Sequence, residues 1–227
     1  MNAVHQHKRD GDGDTSHVID ALVAVDGSGA HSHVLALLGV GNDHAARSLH
    51  SLADMVHYLC LLHGRHPGVI DHAATRTTEN AARQWLLQTA DAFATERSFL
   101  AHLSVALGPV PSTIGHNDND AAVLQQRHAL DMLAQSDRRG CAMGAALTLA
   151  IDWLAIRHLL DATAIRVGIE PPACRLPTRS DSLAVAREIA TDEAAARAIQ
   201  FGARQLLSQH RGLFDLLKAR AEIRTLD

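Results

Sequence analysis

Aromatic side chains make up only 3% of the 227-residue chain. A β-sandwich or barrel draws its packing from Val, Ile, Thr, Tyr and Phe, so this scarcity argues against one. No alternating run of β-branched residues occurs, no internal repeat, and no glycine-rich phosphate loop. Lysine is confined to Lys8 and Lys218, and the formal net charge is -4. No basic excess exists to neutralise phosphates, which argues against a nucleic-acid partner. The three cysteines, Cys60, Cys141 and Cys174, form no CxxC pair. That usage fits reduced thiols in a cytosol rather than a disulfide framework. No apolar run approaches the roughly 20 residues that cross a bilayer. The first residues, "MNAVHQHKRDGDGD", lack the apolar stretch of a signal peptide. The expectation is a soluble, cytoplasmic protein with no membrane partner.

Hydrophobic residues supply 47% of the chain, with Ala and Leu dominant, a composition that favours close-packed helices. Residues 1–14 read as a disordered tail. Within it, Asp10, Asp12 and Asp14 match the first ligand positions of a calcium loop, but Thr15 and Ala21 stand where that loop needs Gly and Glu. Thr15 or Ser16 is the expected cap of a short helix, and "HSHVLALLGVG" forms another. Longer helices are expected from Asn42 or Asp43 to His63, from Thr77 or Thr78 to Leu107, from Asp118 or Asn119 to about Gln135, and from about Arg138 to Val167. Two more follow, one capped by Ser180 and one running from Thr191 to about Arg224. Whether 119–166 is one helix or two stays open, because no proline enforces the break at "SDRRG". The fold class is all-α: a single-domain bundle of about six or seven helices over 15–227 around a central apolar helix.

Helical phase then sorts the polar residues. Between Thr78 and Leu107, Trp85, Ala92, Phe99 and Leu103 share one side, flanked by Ala82, Leu86, Phe93 and Leu100. Glu96 falls inside that stripe, and His102 lies roughly 120° away. The 138–167 helix is apolar nearly all round. Asp152 lies on one of its flanks, and Arg157, His158 and Asp161 share another. Gly144, Ala145 and Ala146 would let a neighbouring helix approach closely. His50, Asp54 and His57 share one edge of the helix ending at His63, and Asp54 with His57 makes a D-x-x-H pair, a spacing that lets one helix offer two ligands to one metal. Gln126 also points inward. Asp54, His57, Glu96 and Asp152, with His50 as ligand or neighbouring base, are therefore candidate ligands for iron, manganese or zinc. A standard di-iron bundle does not fit, because Ala155 stands three residues after Asp152 and Gln126 replaces a carboxylate.

A plainer reading stands beside this one. Buried carboxylates find partners because an unpaired buried charge is costly. Arg127, Arg83 or a buried histidine would then close a structural network around Glu96 or Asp152, and His50, Asp54 and His57 would be a surface-edge cluster. His63, His66 and His72 read as a helix end and its loop, and His31 and His33 as solvated. Cys60 reads as a small buried hydrophobe.

The run "QRHALDMLAQSDRRGCAMGAA", within Pro111 to Trp153, resembles a family of uncharacterised all-helical alphaproteobacterial proteins, sphingomonads among them. The resemblance extends from "ERSFLAHL" to "IRHLLDA". It implies an all-α fold and a bacterial setting, and no activity. A looser likeness to ferritin-like and haem-oxygenase-like bundles rests on helix number and inward carboxylates. Three functional readings follow: a helical protein that acts by binding, alone or as a homodimer, with no catalytic apparatus; a metal-dependent bundle, including a metal-dependent oxidoreductase; and a pocket for an apolar or tetrapyrrole ligand.

Overall fold

A computed structural model describes residues 14–40, 48–109, 116–138 and 140–224. Among these residues there are nine α-helices, one short 3-10 turn and no strand. The order is α1 (Thr15–Asp26), the 3-10 turn (Ser28–Ala30), α2 (Ser32–Leu37), α3 (Leu49–His63), α4 (Val69–Arg76), α5 (Asn80–Leu107), α6 (His116–Ala134), α7 (Cys141–Arg166), α8 (Arg179–Ile189) and α9 (Glu193–Arg224). Residues 1–13 of the expected tail, and the expected helix start at Asn42 or Asp43, lie outside the described residues.

At α1, α8 and α9 the caps fall one or two residues from their expected places, and α3 is capped at Ser48 where Asn42 or Asp43 was expected. The Asp14 carboxylate accepts from the Ser16 N–H at 3.1 Å, Ser48 Oγ from Ser51 N–H at 3.1 Å, Thr178 Oγ1 from Asp181 N–H at 3.1 Å, and Asp192 Oδ1 from Ala195 N–H at 2.7 Å. Each oxygen satisfies a backbone donor that the first turn leaves unpaired. The larger difference is α4, a helix that the sequence reading passed over. Its start is marked by Asp71, whose carboxylate reaches back to the Gly68 N–H at 2.8 Å. The count thus exceeds the six or seven helices expected. Residues 119–166 resolve into two helices, α6 and α7, and Gly140, at φ 99°, makes the turn into α7 with a left-handed backbone that glycine adopts without strain.

Buried apolar side chains from α1 to α9 join in one hydrophobic cluster. Its axis is α7, buried on nearly every side from Cys141 to Ala164. By length and composition α7 is long and apolar enough to cross a membrane, unlike the expectation from the sequence, but 83% of its most apolar stretch is buried against the other helices. Its most extensive partner is α9. Two glycines let these backbones touch: a Cβ on Gly144 would sit 2.0 Å from the Ile199 carbonyl oxygen, and one on Gly202 would sit 2.1 Å from that of Cys141. The close approach expected at Gly144 is therefore made by α9. The face of α5 that carries Trp85, Phe93, Phe99 and Leu103 is buried, as its phase predicts.

Candidate functional site

Glu96 has no exposed surface. Its position on the inner face of α5 brings it against α7, where Trp153 Nε1 donates to Oε2 at 3.1 Å and Arg157 Nη1 to Oε1 at 2.7 Å. Arg157 is itself buried, at 4% exposure. Its Nε donates to Asp161 one turn on, at 2.7 Å, and its Nη2 to the Pro172 carbonyl. The guanidinium also lies over the Phe99 ring, 4.8 Å from the centroid. Burial pushes the Glu96 carboxyl above its usual range, although the bonds from Trp153 and Arg157 pull the other way. Arg157, rather than the expected Arg83 or Arg127, is the cation that answers Glu96. Arg83 is exposed, and Arg127 reaches the Leu61 carbonyl at 3.5 Å.

One residue before Trp153, Asp152 points elsewhere. Its carboxylate accepts from the Ser28 N–H at 2.7 Å, from Ser28 Oγ at 2.5 Å and from His210 Nδ1 at 2.6 Å. His210 Nε2 in turn meets His63 Nε2 at 2.8 Å. The 3-10 turn, α7, α9 and α3 are thus tied by one chain of buried side chains. Gly27 makes room for it, since a Cβ there would lie 2.7 Å from Asp152 Oδ1. Burial, reinforced by the positive charge of His210 and Arg97, holds His63 well below the usual imidazole range. His63 is therefore neutral, and its Nε2 shares one hydrogen bond with His210 Nε2, while His210 Nδ1 bonds Asp152 on its other side. The His63 ring stands edge-on to Trp153 at 5.4 Å and to Phe93 at 6.3 Å, so this network abuts that of Glu96.

Asp54 belongs to a third network. Arg220 grips it with Nε at 3.0 Å and Nη2 at 3.1 Å, and Arg224 adds Nη2. The carboxylate is 1% exposed, so it does not sit at the surface edge where the sequence reading put it. His50 is exposed, and His57 is half-buried with its ring edge-on to Tyr58 at 5.0 Å.

The five candidate ligands are therefore dispersed. Asp54, Glu96 and Asp152 are buried as their phase requires, but each is bonded into its own network. Among the described residues no three His, Cys, Asp or Glu side chains gather in a way that could hold a metal ion. Two histidines are corrected: His33 is buried, at 3% exposure, and the His31 side chain, 7% exposed, reaches Asp215 at 3.1 Å. His63 ends α3 as expected, and is buried at 6% exposure. Sequence reasoning passed over His210 and Ser28. His210 was findable, since it shares a helical phase with the buried Ala203, Leu206, Leu213 and Leu217.

The open space in the molecule lies away from all of these. A cleft of about 550 Å³ opens where α6 gives way to α7, facing the end of α4, the start of α5 and the α8–α9 junction. Ala82, Ala142, Met143, Ile189 and Ile199 supply its apolar walls. Arg76, Thr78, Glu79, Asp137 and Arg138 supply polar ones. Arg76 Nη1 bonds Asp137 at 3.1 Å across the rim, and Arg138 lies over Phe201 at 5.9 Å. No histidine is among the described residues that line it. A second cavity, beside His63, Phe93, Arg97 and Arg127, is only about 10 Å³, room for one water at most.

Fold and site together define an all-α protein whose interior carboxylates are matched by its own cations and donors, and whose cleft at the α6–α7 junction joins aliphatic walls to charged ones. The chain belongs to a family of unknown function, DUF6975, whose profile matches residues 23–225. Neither the curated proteins nor the solved structures contain a match to it.

Proposed function

We propose that this protein acts by binding a small amphipathic molecule in the cleft at the α6–α7 junction. The cleft volume carries the reading, since about 550 Å³ lies within the range of small-molecule sites, which are concave, largely apolar and edged by a few polar groups. The apolar part of the ligand rests on Met143, Ile189 and Ile199. Its polar part meets Thr78, Arg76 and Arg138. The interior networks hold the walls in place and take no part in contact. The three unpaired cysteines and the family resemblance support a bacterial cytosolic setting.

Titration with anilinonaphthalene sulfonate, an apolar ring system with one anionic group, tests the reading. The expected result is saturable fluorescence enhancement at one site per chain, abolished by Thr78→Trp. Thr78 is exposed on the cleft wall, so the larger side chain fills the space without entering the core, and folding stability should shift by less than about 0.5 kcal/mol. Equal dye binding by the wild type and the Thr78→Trp chain would overturn the assignment.

A further inference from the structure

His63 and His210 meet Nε2 to Nε2 at 2.8 Å, and both rings are buried. A bond between two imidazole nitrogens needs one of them bare, to accept. The pair therefore has room for one added proton and none for a second, which would set N–H against N–H and charge against charge. His210 has a carboxylate to answer a positive charge, since its Nδ1 bonds Asp152 at 2.6 Å. Among the described residues no carboxylate bonds His63, whose ring otherwise meets Trp153 and Phe93 edge-on.

The charged groups around His63 do not supply what it lacks. Arg97 of α5, Arg127 and Asp131 of α6, and Arg65 of the following loop border the same small cavity, and three of these are cations. Asp71 of α4 is taken by Arg97 at 3.0 Å and by His66 at 3.3 Å. Glu96 of α5 is taken by Trp153 and Arg157. Cys60, one turn back on α3, stays a thiol because burial pushes its pKa up. The two partners also differ in their freedom to part. His210 and Asp152 lie in the middle of long helices, and Ser28 holds Asp152 as well. His63 is the last residue of α3, with exposed Arg65, His66 and Pro67 just beyond. We propose that the His63–His210 bond is an acid-operated latch: as pH falls His63 takes a proton, parts from His210 and turns the end of α3 toward solvent, while the α7–α9 contact stays closed. Neither histidine lines the α6–α7 cleft, so the latch stands independently of ligand binding there. In the closed form burial, His210 and Arg97 keep His63 neutral. A freed imidazole returns to its ordinary value of about 6.5, so acid favours the open form, and the balance between the two shifts about tenfold from pH 7.5 to 5.5.

Amide hydrogen exchange of the full chain at those two pH values, corrected for intrinsic exchange rates, tests the latch. Protection at residues 61–64 should fall about tenfold, while that of residues 147–150 in α7 is kept. His63→Gln, whose side chain does not titrate, should show the same protection at both pH values. Should that variant not fold, a nuclear magnetic resonance titration of the wild-type imidazoles decides, because His63 must gain its proton in step with the loss of protection at 61–64. Equal protection of the wild type at both pH values overturns the latch. So does a parallel loss along α3 and α7, which marks general unfolding, and so does an unchanged pH response in folded His63→Gln.

Discussion

The middle of α7 and its first turn are built from opposite materials. In the middle, Asp152, Trp153 and Arg157 are polar or aromatic, buried, and bonded to partners from other segments, among them the 3-10 turn, α5 and α9. At the first turn, Ala142 and Met143 offer nothing to bond with, yet they border the cleft. The side chains that look most like a reaction centre are consumed by packing, and the space for a ligand lies apart from them, between aliphatic walls and the charged rim of Arg76, Glu79, Asp137 and Arg138. A buried carboxylate therefore says where a fold needs fixing before it says where a substrate sits.

The sharpest way to break this contrast is to remove the cation from the middle. Arg157→Met strips Glu96 of its charge partner, leaves only the Trp153 bond, and frees the Pro172 carbonyl. Loss of one partner from a buried pair should cost about 3–5 kcal/mol in denaturant unfolding. Arg157→Met combined with Glu96→Gln should recover much of that loss, because the unpaired charge is gone. A single-variant cost near zero would mean that water reaches Glu96 and that the middle is not closed.

Next in size is a change at the cleft end. Gly144→Ala places a methyl group 2.0 Å from the Ile199 carbonyl oxygen, backbone against side chain with no flexible neighbour to yield. The helices must separate, at an expected cost of about 1–3 kcal/mol. Since Met143 and Ile199 both line the cleft, dye affinity should fall as well. Unchanged affinity in a destabilised Gly144→Ala chain would uncouple the cleft from the α7–α9 contact.

These pairs also mark the limit of what the sequence shows. Phase within one helix is a local property, so the inward turn of Glu96 and Asp152 follows from the spacing of their apolar neighbours. The all-α class and the central position of α7 follow in the same way. Which helix stands opposite is a long-range property that a single helix does not encode. Glu96 therefore found Arg157, and Asp152 found His210 and Ser28, without any signal in either partner's neighbourhood. His63 was read correctly as a helix end, but its burial did not show, because a last turn suits a dipole-compensating imidazole at any depth. The fold instead spends that terminus on the core, with Gly64 beyond it needed for space, since a Cβ there would lie 2.5 Å from the Cys60 carbonyl oxygen. The cleft left no trace because it is the gap between five elements.

The smallest expected effect lies in the pH dependence of the middle. Burial, then the charges of His210 and Arg97, depress the His63 pKa in the folded state. Below the ordinary imidazole value of about 6.5 the unfolded chain takes up a proton that folded His63 refuses, so stability should fall as pH drops. The slope from this one group is about 1.4 kcal/mol per pH unit once the unfolded imidazole is protonated. Glu96 acts with the opposite sign. Its raised pKa lets the folded state bind a proton above the unfolded carboxyl value, so acidification through that window stabilises. Unfolding free energies at pH 7 and 5.5 should therefore diverge less in His63→Gln, whose amide does not titrate, than in the wild type. If His63→Gln keeps the wild-type slope, the His63–His210 pair exchanges protons with solvent, and the closed middle of α7 is open at that point.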